Sequence, residues 1–206
     1  MKKAWIAAGL LWFALACQGG NTQPVKGAEK MNGMTQTEKE AVATLAGGCF
    51  WCVASDMKKL PGVTRVVSGY AGGSGKNPTY GNYMAQGHLE AVQVHYDPGV
   101  VTYGQILHYF LKHIDPTDAG GQFADRGSGY RSAVFYNNEA ERKTAAGALQ
   151  SLAASGKFGK PIVTELKLFT GFYPAEEYHQ DYDAKNPLRY KAYRSGSGRE
   201  GYLQEV

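Results

Sequence analysis

Two thiols stand three residues apart at Cys49 and Cys52, separated by the large aromatic residues Phe50 and Trp51 and preceded by Gly47-Gly48. Thiols that close serve redox exchange or metal binding. Thiolate is the reactive form, and a free cysteine with a pKa of about 8.5 is ionised only to a few per cent at neutral pH, so activation must come from the surroundings. The residues that follow Cys52 read as the opening of a helix over 51–59, whose free N–H groups and positive dipole end favour a thiolate. A structural zinc site takes about four ligands, commonly with a second Cys or His pair at similar spacing. The chain has only one further cysteine, Cys17, and no such second pair. His88-Leu89-Glu90 has the H-x-E pattern of zinc deaminases, in which a proline-preceded C-x-x-C follows the histidine. Here the cysteine pair comes first and Gly48 precedes it. No metal is therefore assigned, and His88, His113 and His179 read as structural hydrogen-bonding residues.

The reactive pair must sit in a domain, and the chain signals where that domain begins. Lys2 and Lys3 precede an apolar run, Ala4 to Ala16, too short to span a bilayer comfortably, and Ala14-Leu15-Ala16 places small residues before Cys17. This is the pattern of a bacterial export signal. It resembles a lipoprotein signal, in which Cys17 becomes the lipidated N-terminus and anchors the chain to a membrane. Such signals carry leucine where Ala14 stands, so cleavage after Ala16 with Cys17 unmodified is the alternative. Gln18 to Lys39 is polar and lacks a sustained apolar period, as a flexible tether does. The expected order is thus an export signal (1–16), a tether (17–40) and one folded domain (41–206), located in the cell envelope. The formal net charge of +4 includes Lys2 and Lys3, and the remaining charges are interspersed, so nothing points to nucleic acid.

Short apolar or alternating runs predict strands at 41–46, 63–67, 91–96, 132–136 and 162–169. Helical patterns lie between them at 51–59, stopped by Pro61-Gly62; at 103–113, ending before Asp115-Pro116; and at 139–154, ending at Gly156. This order predicts an α/β (α+β) fold: a two-layer sandwich of a mixed sheet with packed helices and a ferredoxin-like core. The glycine clusters at 69–75 and 120–129 read as loops. The tail after Arg194, with Ser195-Gly196-Ser197-Gly198, reads as a loop or extended arm.

Several separated motifs give the chain a further resemblance: Gly48-Cys49-Phe50-Trp51, Gly69-Tyr70-Ala71-Gly72-Gly73, Asn77-Pro78-Thr79-Tyr80, Gly87-His88-Leu89-Glu90, Tyr96-Asp97-Pro98, Asp115-Pro116-Thr117, Asp125 with Tyr130-Arg131-Ser132, and Phe172-Tyr173 through Tyr178-His179-Gln180. Their order and spacing from about Leu45 to Tyr182 resemble the peptide methionine sulfoxide reductase A family. That resemblance implies reduction of the S epimer of methionine sulfoxide, free or in proteins, with no metal or organic cofactor and with electrons from a thioredoxin-like reductant. A sulfoxide has an electrophilic sulfur and a poor oxygen leaving group, so the reaction needs a soft nucleophile, a proton donor and a place for the methyl group. By the resemblance, Cys49 is the nucleophile and Phe50 and Trp51 wall the methyl site. Glu90 gives the proton, Tyr80 and Tyr130 hold the oxygen, and Asp125 organises the same pocket. Glu90 could act at neutral pH only if burial kept it protonated. Its position at the start of an alternating strand reads, by itself, as solvent-facing.

Three departures from the family pattern stand out. Cys52 occupies a position usually held by glycine and no cysteine follows it, so Cys52 is the expected resolving residue. A Cys49–Cys52 disulfide is expected to be exposed and readily reduced. Gly129 stands where glutamine is usual, and Gly121-Gln122-Phe123-Ala124 is looser than the family's segment before Asp125. Two other readings remain open at this level: a thioredoxin-like disulfide oxidoreductase, and a non-catalytic lipoprotein that binds a partner through a tyrosine-rich surface. The chain is read as a monomer.

Overall fold

Alternation along a few central strands decides which side chains meet. The computed structural model describes residues 40–205; the expectations placed on 1–39, including Cys17, lie outside the described residues. Six strands form one mixed sheet in the order β7 (Glu165–Leu168), β6 (Ser132–Tyr136), β1 (Ala41–Gly47), β3 (Leu89–Tyr96), β2 (Val63–Ala71), β8 (Phe172–Pro174). All neighbours are antiparallel except β6 and β7. With α1 (Phe50–Met57) between β1 and β2 and α2 (Tyr103–Leu111) between β3 and β6, the inner four strands have the ferredoxin-like arrangement expected.

One face of the sheet turns Ala43, Leu45, Val92, Val94 and Val134 towards Phe50, Val53 and Met57 of α1 and Ile106, Leu107 and Phe110 of α2. The other face buries Ala46, Leu89, Ala91, Ala133 and Phe135 under Phe169 and Phe172. Strand side chains alternate with period two, so Glu90 belongs to the series Val92, Val94, Tyr96 and points into the helical layer. The predicted strand at 91–96 begins two residues earlier, at Leu89. That extension moves Glu90 from a strand end into the ladder, opposite Tyr70.

Other boundaries also shift for physical reasons. Gly69 to Ala71 continues β2 instead of opening a loop. Gly69 is required there because a Cβ would lie 2.3 Å from the Phe172 ring of β8. The predicted strand 162–169 shortens to Glu165–Leu168, since the Val163 N–H is spent on Pro116 O outside the ladder. In the second glycine cluster, β4 (Gly121–Gln122) and β5 (Asp125–Arg126) form a small hairpin. α2 opens with a Thr102/Gln105 capping box, and α3 (Glu139–Ala154) with Asn138 accepting from Glu141 N–H.

Residues after Tyr182 fold into α4 (Tyr182–Lys185), α5 (Pro187–Gly196, with Pro187 in its first turn) and α6 (Arg199–Glu205). The tail after Arg194, expected as a loop or arm, is helical: it closes α5 and forms α6. Two arginines fasten them to the sandwich. Arg194 forms a two-pronged pair with the buried Asp56 of α1, at 2.8 and 3.1 Å. Arg199, 1% exposed, donates to Gly47 O at 2.8 Å and His113 O at 2.6 Å, with its guanidinium 4.6 Å from the Phe123 ring centroid. Replacing Arg199 with Met keeps much of its packing but strips two carbonyls of a charged donor. Urea unfolding of Arg199→Met should show a loss of about 2–4 kcal/mol; a change below about 0.5 kcal/mol would show that these bonds do not hold the tail.

Candidate active site

The turn from β1 into α1 creates the position of the first thiol. A Cβ at Gly47 would lie 2.8 Å from both Ile114 and Phe110, and one at Gly48 would lie 2.5 Å from Gln122, with φ of Gly48 at +80°. Two glycines therefore let the chain reverse against buried neighbours. The helix begins at Phe50, so Cys49 is its N-cap residue and Cys52 lies in its first turn. Cys49 O accepts from the N–H of Cys52 at 3.1 Å and of Val53 at 3.2 Å. The N–H of Phe50 instead donates to Glu90 Oε2 at 2.9 Å, which joins the helix start to β3.

Glu90 is 2% exposed, contrary to the solvent-facing position that its place in the sequence alone gave it. Its other oxygen accepts from the Tyr83 hydroxyl at 3.2 Å. Burial outweighs the Phe50 and Tyr83 hydrogen bonds, and the pKa is pushed up to about 8. The group therefore carries a proton at neutral pH. Tyr83 was not singled out in the sequence, although its spacing offered a clue. Thr79 O accepts from Tyr83 N–H in a tight turn, and residues three apart there, Tyr80 and Tyr83, place their rings 6.2 Å apart.

The remaining expected residues arrive from separate loops. Tyr80, 42% exposed, is fixed through its N–H to Glu176 Oε1 at 2.9 Å; the other oxygen of Glu176 accepts from the Tyr70 hydroxyl at 2.8 Å. Tyr130 ends a 3₁₀ turn, Ser128–Tyr130. Gly129 before it has a reason in the packing: a Cβ there would lie 2.5 Å from Met84 and 2.6 Å from the Tyr83 ring. Asp125 stands on β5 opposite Gln122, whose buried amide both accepts from Asp115 N–H (2.8 Å) and donates to Asp115 O (2.7 Å). The segment before Asp125 is thus tightly held, where the sequence read as loose. Asp125 Oδ2 accepts from the Tyr193 hydroxyl at 2.6 Å.

Trp51 is held on two sides. Its ring stacks on Tyr182 with centroids 3.7 Å apart and planes 5° from parallel, and its Nε1–H donates to His179 Nδ1 at 3.1 Å. That bond fixes the His179 proton on Nε2, and burial lowers the pKa of the ring, so it is neutral. His88 is likewise structural, with Nδ1 accepting from Gly73 N–H and Nε2 facing Gly75 O at 2.9 Å.

Cys49, Phe50, Trp51, Tyr80, Glu90, Asp125 and Tyr130 all line one cavity of about 60 Å³, together with Tyr193. Hollows of about 400 Å³ between α2 and α3 and about 490 Å³ beside β2 contain no thiol, so volume does not mark the site. Tyr193 comes from α5, for which the sequence gives no reading, and no local signal ties it to a site 144 residues away. Cys52 does not line the cavity. It is 0% exposed and packs with Tyr182 and Tyr190, while Cys49 is 5% exposed, so a bond between them would be covered and not exposed as expected. Both are free thiols. Burial pushes the Cys49 thiol well up; the hydrogen bond that Cys49 gives it, with Arg199 and Arg194 nearby, pulls the Cys52 thiol down. A nucleophilic sulfur, a carboxylic acid that keeps its proton, phenol hydroxyls and an aromatic wall therefore share one small space. Such a set can attack a sulfur atom while protonating an oxygen bonded to it.

Comparison with known proteins agrees with this chemistry. The family described as Peptide methionine sulfoxide reductase matches residues 41–206. The chain is 51% identical over 170 residues to "Peptide methionine sulfoxide reductase MsrA" of Bacillus licheniformis, covering 82% of this chain and 94% of that one. It is 54% identical over 166 residues to "Peptide methionine sulfoxide reductase MsrA/MsrB" of Vibrio cholerae, 80% of this chain, and spans only 44% of that longer protein. Among solved structures it resembles Mxr1 from Saccharomyces cerevisiae in reduced form, with 33% identity, TM-score 0.66, and coverage of 72% of this chain and 86% of that one. It also resembles Mxr1 in complex with Trx2, with 27% identity, TM-score 0.51, and coverage of 69% and 84%. A match over the whole sheet-and-helix domain, at identities near one half, places this chain in the peptide methionine sulfoxide reductase family.

Proposed function

We infer that the protein reduces methionine S-sulfoxide, free or within proteins, to methionine, with Cys49 as nucleophile and electrons supplied by a thioredoxin-like donor. The observation that carries this reading is the protonated Glu90 carboxyl held by the N–H of Phe50, the residue next to Cys49. The methyl group lies against Phe50 and Trp51. Tyr80 and Tyr130 hydrogen-bond the sulfoxide oxygen, and Asp125 orients the same side of the cavity through Tyr193. The Cys49 thiolate attacks the sulfoxide sulfur as Glu90 gives its proton to the oxygen. The hydroxyl then passes from the methionine sulfur to the Cys49 sulfur: a Cys49 S–O bond forms as the methionine S–O bond and the new S–S bond break, so methionine leaves and Cys49 becomes a sulfenic acid. Cys52 next forms the S–S bond to Cys49, expelling that hydroxyl as water once it takes a proton. A two-electron reduction of the disulfide restores both thiols. The yeast relative's structure with Trx2 supports a thioredoxin as donor. The export pattern before residue 17 supports a location in the cell envelope, by a lipid on Cys17 or as a chain cleaved after Ala16.

Two measurements test the substrate and the resolving residue. With dithiothreitol as reductant, the S epimer of methionine sulfoxide should disappear and the R epimer persist; the opposite preference would overturn the substrate. Cys52→Ser should keep a first turnover yet stop multiple turnover with thioredoxin, and continued turnover would remove Cys52 from the resolving role.

The first-turnover rate should rise with pH up to about 8 and then level off, because loss of the Glu90 proton cancels the growing Cys49 thiolate fraction. Glu90→Gln should slow that turnover by about 10²–10⁴-fold, and an unchanged rate would remove Glu90 as the donor. Stability gives an independent check with a definite sign. The folded protein keeps a proton that the unfolded chain releases above about pH 4.5, so the Glu90 contribution is fully present below that pH and is lost as pH rises through about 8. In urea unfolding, Glu90→Gln should match the parent near pH 4 and exceed it by about 3 kcal/mol at pH 7.

A further inference from the structure

We propose that the reductant's thiolate attacks Cys49 and not Cys52, so that the enzyme–reductant mixed disulfide forms on Cys49 and Cys52 is expelled inward as the leaving thiolate. The inference rests on the Cys49–Cys52 disulfide of the proposed cycle and adds which of its two sulfurs meets the partner. Thiol–disulfide exchange needs a free approach to the attacked sulfur and a leaving sulfur that tolerates negative charge. The two cysteines divide those requirements. Both thiols pack against Tyr182 and Tyr190, but Cys49, 5% exposed, lines the cavity that the exposed Tyr80 also borders, whereas Cys52 is fully covered and absent from that lining. Reaching Cys52 directly would require displacing α4 and α5, which Arg194 and the stacked Trp51–Tyr182 rings hold in place. A methionine sulfoxide side chain on a protein must already reach Cys49 through the cavity mouth, so a partner's protruding thiol can use the same entrance.

The leaving position is equally specific. Cys52 lies in the first turn of α1, near the positive end of the helix dipole. Arg199 donates to Gly47 O, a few residues away along the chain, and the described residues give it no carboxylate partner, so its charge is not cancelled locally. The charges of Arg199 and Arg194 both favour the Cys52 thiolate, and they persist when Cys49, bonded to the reductant's sulfur, has no proton left to donate. In the step itself, one reductant thiolate forms an S–S bond to Cys49 as the Cys49–Cys52 bond breaks, and the electron pair departs on Cys52. The reductant's second thiolate then attacks its own first sulfur, releasing Cys49 as thiolate. Two electrons have passed from the reductant dithiol, and two protons from solvent complete the thiols.

The test uses the full chain oxidised by one turnover of methionine sulfoxide and a thioredoxin carrying serine in place of its second active-site cysteine. After acid quenching, the remaining thiols are blocked with N-ethylmaleimide, and chymotrypsin, which cleaves after Phe50 and Trp51, separates the two cysteines for mass spectrometry. The thioredoxin peptide should be found on Cys49 and the maleimide on Cys52. The reverse pattern, or an intact disulfide that captures no thioredoxin, overturns the proposal alone. A sample quenched before thioredoxin is added separates the two levels: if it shows no Cys49–Cys52 disulfide, the resolving cycle itself fails and this inference falls with it.

Discussion

Burying the Glu90 carboxyl between the Phe50 N–H and the Tyr83 hydroxyl places a costly group at the one point where sheet, helix and aromatic loop meet. A carboxyl that would ionise in water must hold its proton there, at a cost of roughly 3 kcal/mol at neutral pH. The core behind it is large enough to offset this. Each fully buried Phe or Leu contributes about 1.5–3 kcal/mol, and Phe50, Phe110, Leu45, Ile106 and Leu107 belong to one core cluster between the sheet and its helices. The proton is therefore maintained by exclusion of water, and exclusion of water is a property of the packed layer as a whole. Charge couples it to the thiol, too. An ionised Glu90 raises the pKa of Cys49, so keeping the acid neutral removes one of the obstacles to a thiolate beside it.

The C-terminal helices complete that exclusion from the opposite side. Arg199 bonds the carbonyl of Gly47, the last residue of β1, and thereby braces the strand-to-helix turn from a position 152 residues later. Arg194 and Asp56 neutralise each other, but Arg199 meets only carbonyls and an aromatic face, so a net positive charge remains behind the thiol pair. Phe123 supports that charge in a left-handed backbone conformation, φ +56°, which a bulky residue seldom adopts. Strain at the hairpin tip, the buried cation and the Asp125–Tyr193 bond thus belong to one joint between the β4–β5 hairpin and the tail.

How much of this could be read from the residues depends on the range of the interaction. Strand and helix positions followed from local periodicity, and the two-layer arrangement followed from their order. The side of the sheet taken by Glu90 was also implicit in period-two alternation, but only once β3 is extended to Leu89; starting the strand at Ala91 hid it. The roles of Tyr83 and Gly129 depend on a ring packed onto a backbone, which spacing alone only hints at. The tail after Arg194 reads as an arm because Ser195-Gly196-Ser197-Gly198 looks like a breaker, but Ser195-Gly196 close α5 and only Ser197-Gly198 join it to α6. The covering of Cys52 was not legible for a separate reason: its lid, Tyr182 and Tyr190, belongs to α4 and α5, and no pattern near residue 52 announces a contact more than a hundred residues away.

The uneven acidity of the two thiols looks at first unsuited to a nucleophilic Cys49, because the sulfur facing the cavity is the harder of the two to ionise. Thiolate fraction and thiolate reactivity oppose each other, however, since nucleophilicity falls as pKa falls, with a Brønsted slope of about 0.4–0.5. A sulfoxide activated by a protonated acid rewards the more basic sulfur once it ionises. The subsequent steps reward the opposite property: Cys52 must be available as a thiolate when the sulfenic acid appears and must later depart as one. Placing the better nucleophile at the cavity and the better leaving group behind it lets a single C-x-x-C turn of α1 serve both halves of the proposed cycle. On this account the burial of Cys52 is not an obstacle to turnover, because only its partner has to be reached from outside.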